Sequence, residues 1–126
     1  MNQRPLSPHL QVYRLPLTAI LSIIHRATGV FLVAGVILLV VCLMAVAEGA
    51  QQYATVQSFL RSHLGRLFLW SWLYALFFHL CHGVRHLIWD TGHGFCRATL
   101  NRYAFLELAA SVVLTSLVLV LTLFQA

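Results

Sequence analysis

Between His79 and Asp90 the chain reads His-Leu-Cys-His-Gly-Val-Arg-His-Leu-Ile-Trp-Asp, which puts three imidazoles, a guanidinium and a carboxylate within a few helical turns. On a helix, His79, His82, Gly83, His86 and Asp90 fall at i, i+3, i+4, i+7 and i+11 and so share one face. Trp72 and Ala75 extend the same stripe backward. Ala75 and Gly83 are small, so they leave space beside His79 for a flat ligand or for a close-packed helix. Ionisable side chains in such a row face a bundle interior, so the stripe reads as the lining of a site or as groups that hold helices together.

A second polar row lies near the start. A helix beginning at about Leu17 carries Thr18, Ser22, His25, Arg26 and Gly29 on one face. Arg26 can neutralise a carboxylate or polarise a carbonyl, with the Ser22 hydroxyl one turn away. A quinone carbonyl that gains electrons and protons needs such a pair. The plainer alternatives are that Arg26 reaches for lipid headgroups and Ser22 bonds its own helix.

The elements that must position these rows are membrane spans. Hydrophobic residues make up 60% of the 126 and charged ones only 9%, too few to clothe a soluble domain of this size. Mean hydropathy is +0.84. The eight basic residues are all arginine and punctuate the ends of apolar runs. No basic patch with interleaved exposed aromatics is present, so the net charge of +5 does not point to nucleic acid. Cys42, Cys81 and Cys96 are too scattered for a metal or disulfide framework.

The chain reads as an all-α membrane protein, a single domain over 1–126 with spans at about 20–47, 66–90 and 104–124. Thr28 to Ala47 and Leu67 to Phe78 carry no charge, and the third span has only Glu107, placed near its start where a helix N-terminus tolerates an acid. Pro5, Pro8 and Pro16 make residues 1–16 an irregular arm on the membrane surface. The connector between the first two spans is polar, with a short helical piece around Ala54 to Leu64. Arg4, Arg14, Arg26, Arg85, Arg97 and Arg102 fall on one side of the membrane, and Arg61 and Arg66 on the other. That asymmetry puts the N-terminus in the cytoplasm and the C-terminus outside. Both polar rows then meet at the cytoplasmic side.

His79 sits roughly 16 Å inward from Asp90 along the helix. At that depth an imidazole needs a partner. An axial bond to haem iron and a structural hydrogen bond both serve, and the lack of a carboxylate at that level favours the iron. His82, one turn on, reads as a packing or hydrogen-bonding residue. His25 and His86 lie nearer the surface, where a haem propionate or plain solvation suits them. Trp89 reads as an interfacial anchor. Asp90 can pair with Arg85, with a neighbouring subunit or with the following loop.

The stretches Arg4-Pro5-Leu6-Ser7-Pro8-His9-Leu10, Tyr13, Ser22-Ile23-Ile24-His25-Arg26-Ala27-Thr28-Gly29 and His79 through Asp90 resemble the signatures of the succinate dehydrogenase cytochrome b family, the larger membrane anchor of respiratory complex II. The resemblance implies three transmembrane helices packed with a second small anchor subunit into a haem-binding bundle. It implies haem b, with His79 as one axial ligand and the partner supplying the other, and His25 and Arg26 at the propionates. It places Ser22 and Arg26 at a ubiquinone site beside the iron–sulfur subunit, fed by a flavoprotein that oxidises succinate. The setting implied is a bacterial inner membrane. His82 is an extra histidine relative to the family pattern. A fumarate reductase anchor using menaquinol, and a non-redox scaffold whose histidines hold helices together, are the alternatives. The flavin chemistry lies elsewhere, because the chain has no dinucleotide-binding glycine pattern.

Overall fold

The computed structural model describes residues 13–125, and the greater part of the expected surface arm, up to residue 12, lies outside them. Four helices follow in order: α1 (Leu17–Glu48), α2 (Ala50–Arg61), α3 (His63–Asp90) and α4 (Arg97–Gln125). Three of them, Leu17–Glu48, His63–Asp90 and Arg97–Phe124, are long and apolar enough to cross a membrane. The chain is therefore all-α and multi-pass. The short α2 lies between the first two of these.

Helix starts follow local chemistry. Pro16 precedes α1 with φ −65°, and its carbonyl accepts from the amides of Ala19 at 3.0 Å and Ile20 at 3.3 Å. Ser62 caps α3, its side chain accepting from Gly65 N at 3.1 Å. Two boundaries differ from the sequence reading. The connector helix starts at Ala50, a turn before the expected piece, because the polar run Gln51–Gln57 contains no breaker. The helix carrying the third apolar run starts at Arg97, about two turns before Ala104, because nothing between Cys96 and Ala104 interrupts it.

α3 packs against both α1 and α4 and is the central element. The contacts are made by small residues and by polar groups, as membrane helices require when lipid is as apolar as their side chains. Gly35 of α1 is filled from outside by the Trp72 ring, where even one added Cβ would overlap the indole. That ring also donates from Nε1 to the Leu32 carbonyl at 3.2 Å. Toward the other end, Leu21, Phe78 and Ala104 from α1, α3 and α4 form the apolar core, each 2% exposed or less. Most other large apolar side chains of α1 and α4 remain exposed, as lipid-facing or partner-facing surfaces do.

Candidate functional site: a stacked histidine cluster tied to a buried ion pair

The first turns of α1, the last turns of α3 and the first half of α4 share one end of the bundle, and the two polar rows meet there. The His25 ring lies between His79 and His82. Its centroid is 3.9 Å from that of His79, with planes 18° apart, and 4.4 Å from that of His82, with planes 26° apart. His86 is 5.8 Å from His25 and 5.0 Å from His82. His25, His82 and His86 bring a nitrogen each within 4.8 Å of one another, a group with the composition to hold a metal. His25 and His82 are stacked with centroids 4.4 Å apart and planes 26° apart, however, so their lone pairs lie in two separate, nearly parallel planes. They do not converge on one small ion at the ~2 Å that imidazole ligation needs.

His79 has a fixed tautomer. The Thr28 hydroxyl donates to the His25 carbonyl at 2.8 Å, so its one proton is spent. His79 Nδ1, 3.3 Å from Thr28 Oγ1, must then be the donor, and its Nε2 carries the free lone pair. This is the arrangement in which an imidazole best serves as a metal ligand, with its second nitrogen held by an oxygen. Gly29 makes the approach possible, since a Cβ there would stand 3.2 Å from His79 Cε1.

On the α4 side, three charged or polar groups are buried together. His82 is 0% exposed, Arg85 2% and Glu107 5%. His82 Nδ1–H donates to Glu107 Oε1 at 3.1 Å, and Arg85 Nη1 pairs with Glu107 Oε2 at 3.2 Å. Arg85 Nη2 comes within 3.4 Å of the same His82 nitrogen, but that nitrogen's hydrogen already serves the carboxylate. The other face of the guanidinium lies over the Trp89 ring, 4.7 Å from its centroid.

These contacts revise two expectations. Arg85 pairs with Glu107, and Asp90 stays exposed at the end of its helix. Glu107 stands nearly three turns into α4, not at a helix N-terminus, and supplies the carboxylate that the sequence reading had not placed near the histidines. Trp89, read as an interfacial anchor, also carries the Arg85 guanidinium over its ring. Gly83 has open space beside it, as its size leads one to expect, and Gly29 on the neighbouring helix lets His79 approach closely. The signal for Glu107 was in the sequence: Ala104, Glu107 and Ser111 recur at i, i+3 and i+7, and all three are buried.

Ser22 is half-buried and Arg26 exposed, one turn apart on α1 and flanking His25 in sequence. The hydroxyls of Thr28, Ser111 and Thr115 bond carbonyls of their own helices. That of Ser22 has no such partner among the described residues.

A family model described as the succinate dehydrogenase/fumarate reductase transmembrane subunit matches residues 1–119. The chain belongs to that family. It is 44% identical over 119 residues to the succinate dehydrogenase cytochrome b556 subunit of Paracoccus denitrificans, covering 94% of this chain and 92% of that one. It is 38% identical over 116 residues to the subunit of the same name in Rickettsia felis, covering 92% and 90%. With the cytochrome b560 subunit of Reclinomonas americana it shares 37% over 95 residues, covering 71% and 66%. The chain is thus a membrane-anchor subunit of a succinate:quinone oxidoreductase, distinct from the flavin-bearing part.

Proposed function

We propose that the histidine end of the bundle binds haem b through His79 and presents a ubiquinone site through Ser22 and Arg26. The observation that carries this reading is the contact between Thr28 Oγ1 and His79 Nδ1, 3.3 Å apart. Thr28 holds Nδ1–H, so Nε2 is left as a lone pair on a half-buried imidazole. The donor set fits the group: His25 Nε2 is buried without a partner among the described residues, suited to a propionate, and Arg26 stands next to it in sequence. Haem, when bound, supplies a one-electron carrier close to the quinone.

The chain's own residues bind and polarise the quinone. Arg26 lays positive charge against one carbonyl, where negative charge develops on reduction, and the Ser22 hydroxyl donates a hydrogen bond to the same end. Two electrons from succinate, arriving through the iron–sulfur subunit, and two protons from the cytoplasmic side convert quinone to quinol. The partners are a second small anchor subunit bringing the other axial ligand, the iron–sulfur subunit and the flavoprotein. As one domain in a bacterial inner membrane, the chain keeps its N-terminal arm and the 91–96 loop on the cytoplasmic face and its C-terminus periplasmic. Arg85 is withdrawn into the bundle, yet the remaining arginines still favour that side. A reporter fused after Ala126 is active only if it functions outside the cytoplasm.

The deciding experiment is a reduced-minus-oxidised spectrum of the assembled complex. His79→Ala abolishes or strongly displaces the b-type bands, while His82→Ala leaves a b-type spectrum. Wild-type bands in His79→Ala would remove this cluster from haem ligation and leave the scaffold reading.

A further inference from the structure

The four-residue chain Glu107, His82, His25 and His79 links a buried carboxylate on α4 to the imidazole with the free lone pair. Each link is short: 3.1 Å for the hydrogen bond, then stacked rings at 4.4 Å and 3.9 Å. We infer that Glu107 is a positioning residue for the haem ligand, acting through His82 and His25. The inference rests on the reading of His79 as the axial ligand.

A buried carboxylate is expensive in a bundle of this kind, and a scaffold needs no such group to hold three apolar helices. Glu107 accepts the Nδ1–H of His82, which fixes both the tautomer and the rotation of that ring. Phe78, one turn earlier with its centroid 5.9 Å away, supports the ring along its own helix. His82 in turn presents a flat face to His25. His25 is therefore clamped between two rings of α3, and its opposite face limits how far the His79 plane can turn. Arg85 compensates the carboxylate's charge and is itself held against Trp89. Thr28 fixes where His79 Nδ1 points, and the ring stack fixes the tilt of the plane. Neither alone determines the ligand's orientation.

A purely structural role for Glu107, charge compensation of Arg85, makes a different prediction. It is separated by removing both charges together. The variants are Glu107→Gln, the pair Glu107→Leu with Arg85→Leu, and His82→Phe, each purified in the complete complex. His82→Phe keeps a ring that can stack and leaves the Glu107–Arg85 pair intact, so it reads the inference even if the charge variants fail to assemble. The readout is electron paramagnetic resonance of the oxidised low-spin haem, whose g values respond to the orientation of the axial imidazole plane. The double variant and His82→Phe are expected to keep haem and a b-type optical spectrum but to shift the g values. Glu107→Gln shifts them less, because its carbonyl oxygen still accepts from His82. Wild-type g values in His82→Phe, or their full restoration in the double variant, would overturn the inference. His79→Ala is run in parallel: loss of its spectrum with silent His82 and Glu107 variants sinks only the positioning role, whereas an unchanged His79→Ala spectrum sinks the haem reading beneath it.

Discussion

At the histidine end of the bundle, Leu21, Phe78 and Ala104 close a small core around which His82, Arg85, Glu107 and Ser111 are buried almost completely. At the opposite end, the start of α3 and the end of α4 stand apart. A cavity of about 550 Å³ opens there between Leu69, Trp70, Trp72 and Leu73 on one side and Val118, Leu119 and Leu123 on the other. α3 and α4 run through both ends, yet one is closed by polar bonds and by α1 and the other left loose by apolar walls. The contrast follows from the solvent. In lipid, apolar side chains gain little by meeting one another, while a polar group gains much by meeting its partner. Packing order in this chain is therefore concentrated where polar groups need each other, which is also the end proposed to hold the haem and the quinone.

If that is right, breaking the polar end costs far more than altering the loose one. Glu107→Leu leaves the Arg85 guanidinium buried without its carboxylate. Removing one partner of a buried pair typically costs about 3–5 kcal/mol. The single variant is expected to lose most assembled complex, measured as membrane haem and subunit content after purification. Thr122→Val, which deletes a hydroxyl beside the far cavity that bonds only its own helix at Leu119, is expected to be nearly silent. Equal losses in the two would mean that the ends are not held differently at all.

A second contrast separates binding from folding within the polar end itself. Arg26, next to His25 in sequence, is exposed, whereas Arg85 is sealed inside. Arg26→Leu should leave assembly intact but lower quinone reduction about tenfold or more, the scale set by one hydrogen bond to a charged group. Ser22→Ala acts in the same direction and less strongly. Succinate oxidation with an artificial acceptor, which bypasses this site, stays at the wild-type rate in both. Normal quinone kinetics would return Arg26 to contact with lipid headgroups.

What the sequence made legible, and what it hid, follows the same division. The convergence of the two rows could be read because helical periodicity alone aligns His79, His82 and His86, and places Ser22 and Arg26 one turn apart on α1. Periodicity does not say which residue of one helix meets which of another. Hence the insertion of His25 between His79 and His82, and the bond from Thr28 to His79, were not visible in advance. Glu107 was misjudged for a different reason. The apolar run alone suggests a helix that begins at Ala104, where an acid reads as a residue of the first turn. The helix in fact begins at Arg97, and the same acid lies deep in the bundle. The arginines at 97 and 102 concealed the start, because charged residues at a membrane surface are helical as readily as apolar ones.

The smallest expected effects give the finest comparison, because the same kind of change can be made at both ends. Ala104→Val adds bulk at a position with no exposure, against Leu21 and Phe78. Overpacking a closed core typically costs about 1–3 kcal/mol, since side chains must leave their preferred rotamers. Val118→Leu adds a methylene facing the far cavity, where there is room for it. There the expected change is under about 1 kcal/mol and of either sign, because a filled void regains dispersion contacts without strain. Thermal inactivation of the complete complex, followed by loss of quinone reductase activity, reads both. A clear drop in midpoint for Ala104→Val, beside little or no change for Val118→Leu, supports a bundle closed at one end and loose at the other. A drop at Val118 as large as that at Ala104 would show that the cavity is filled in the assembled complex, so that the second anchor subunit or a lipid packs there as tightly as the histidine end packs on itself.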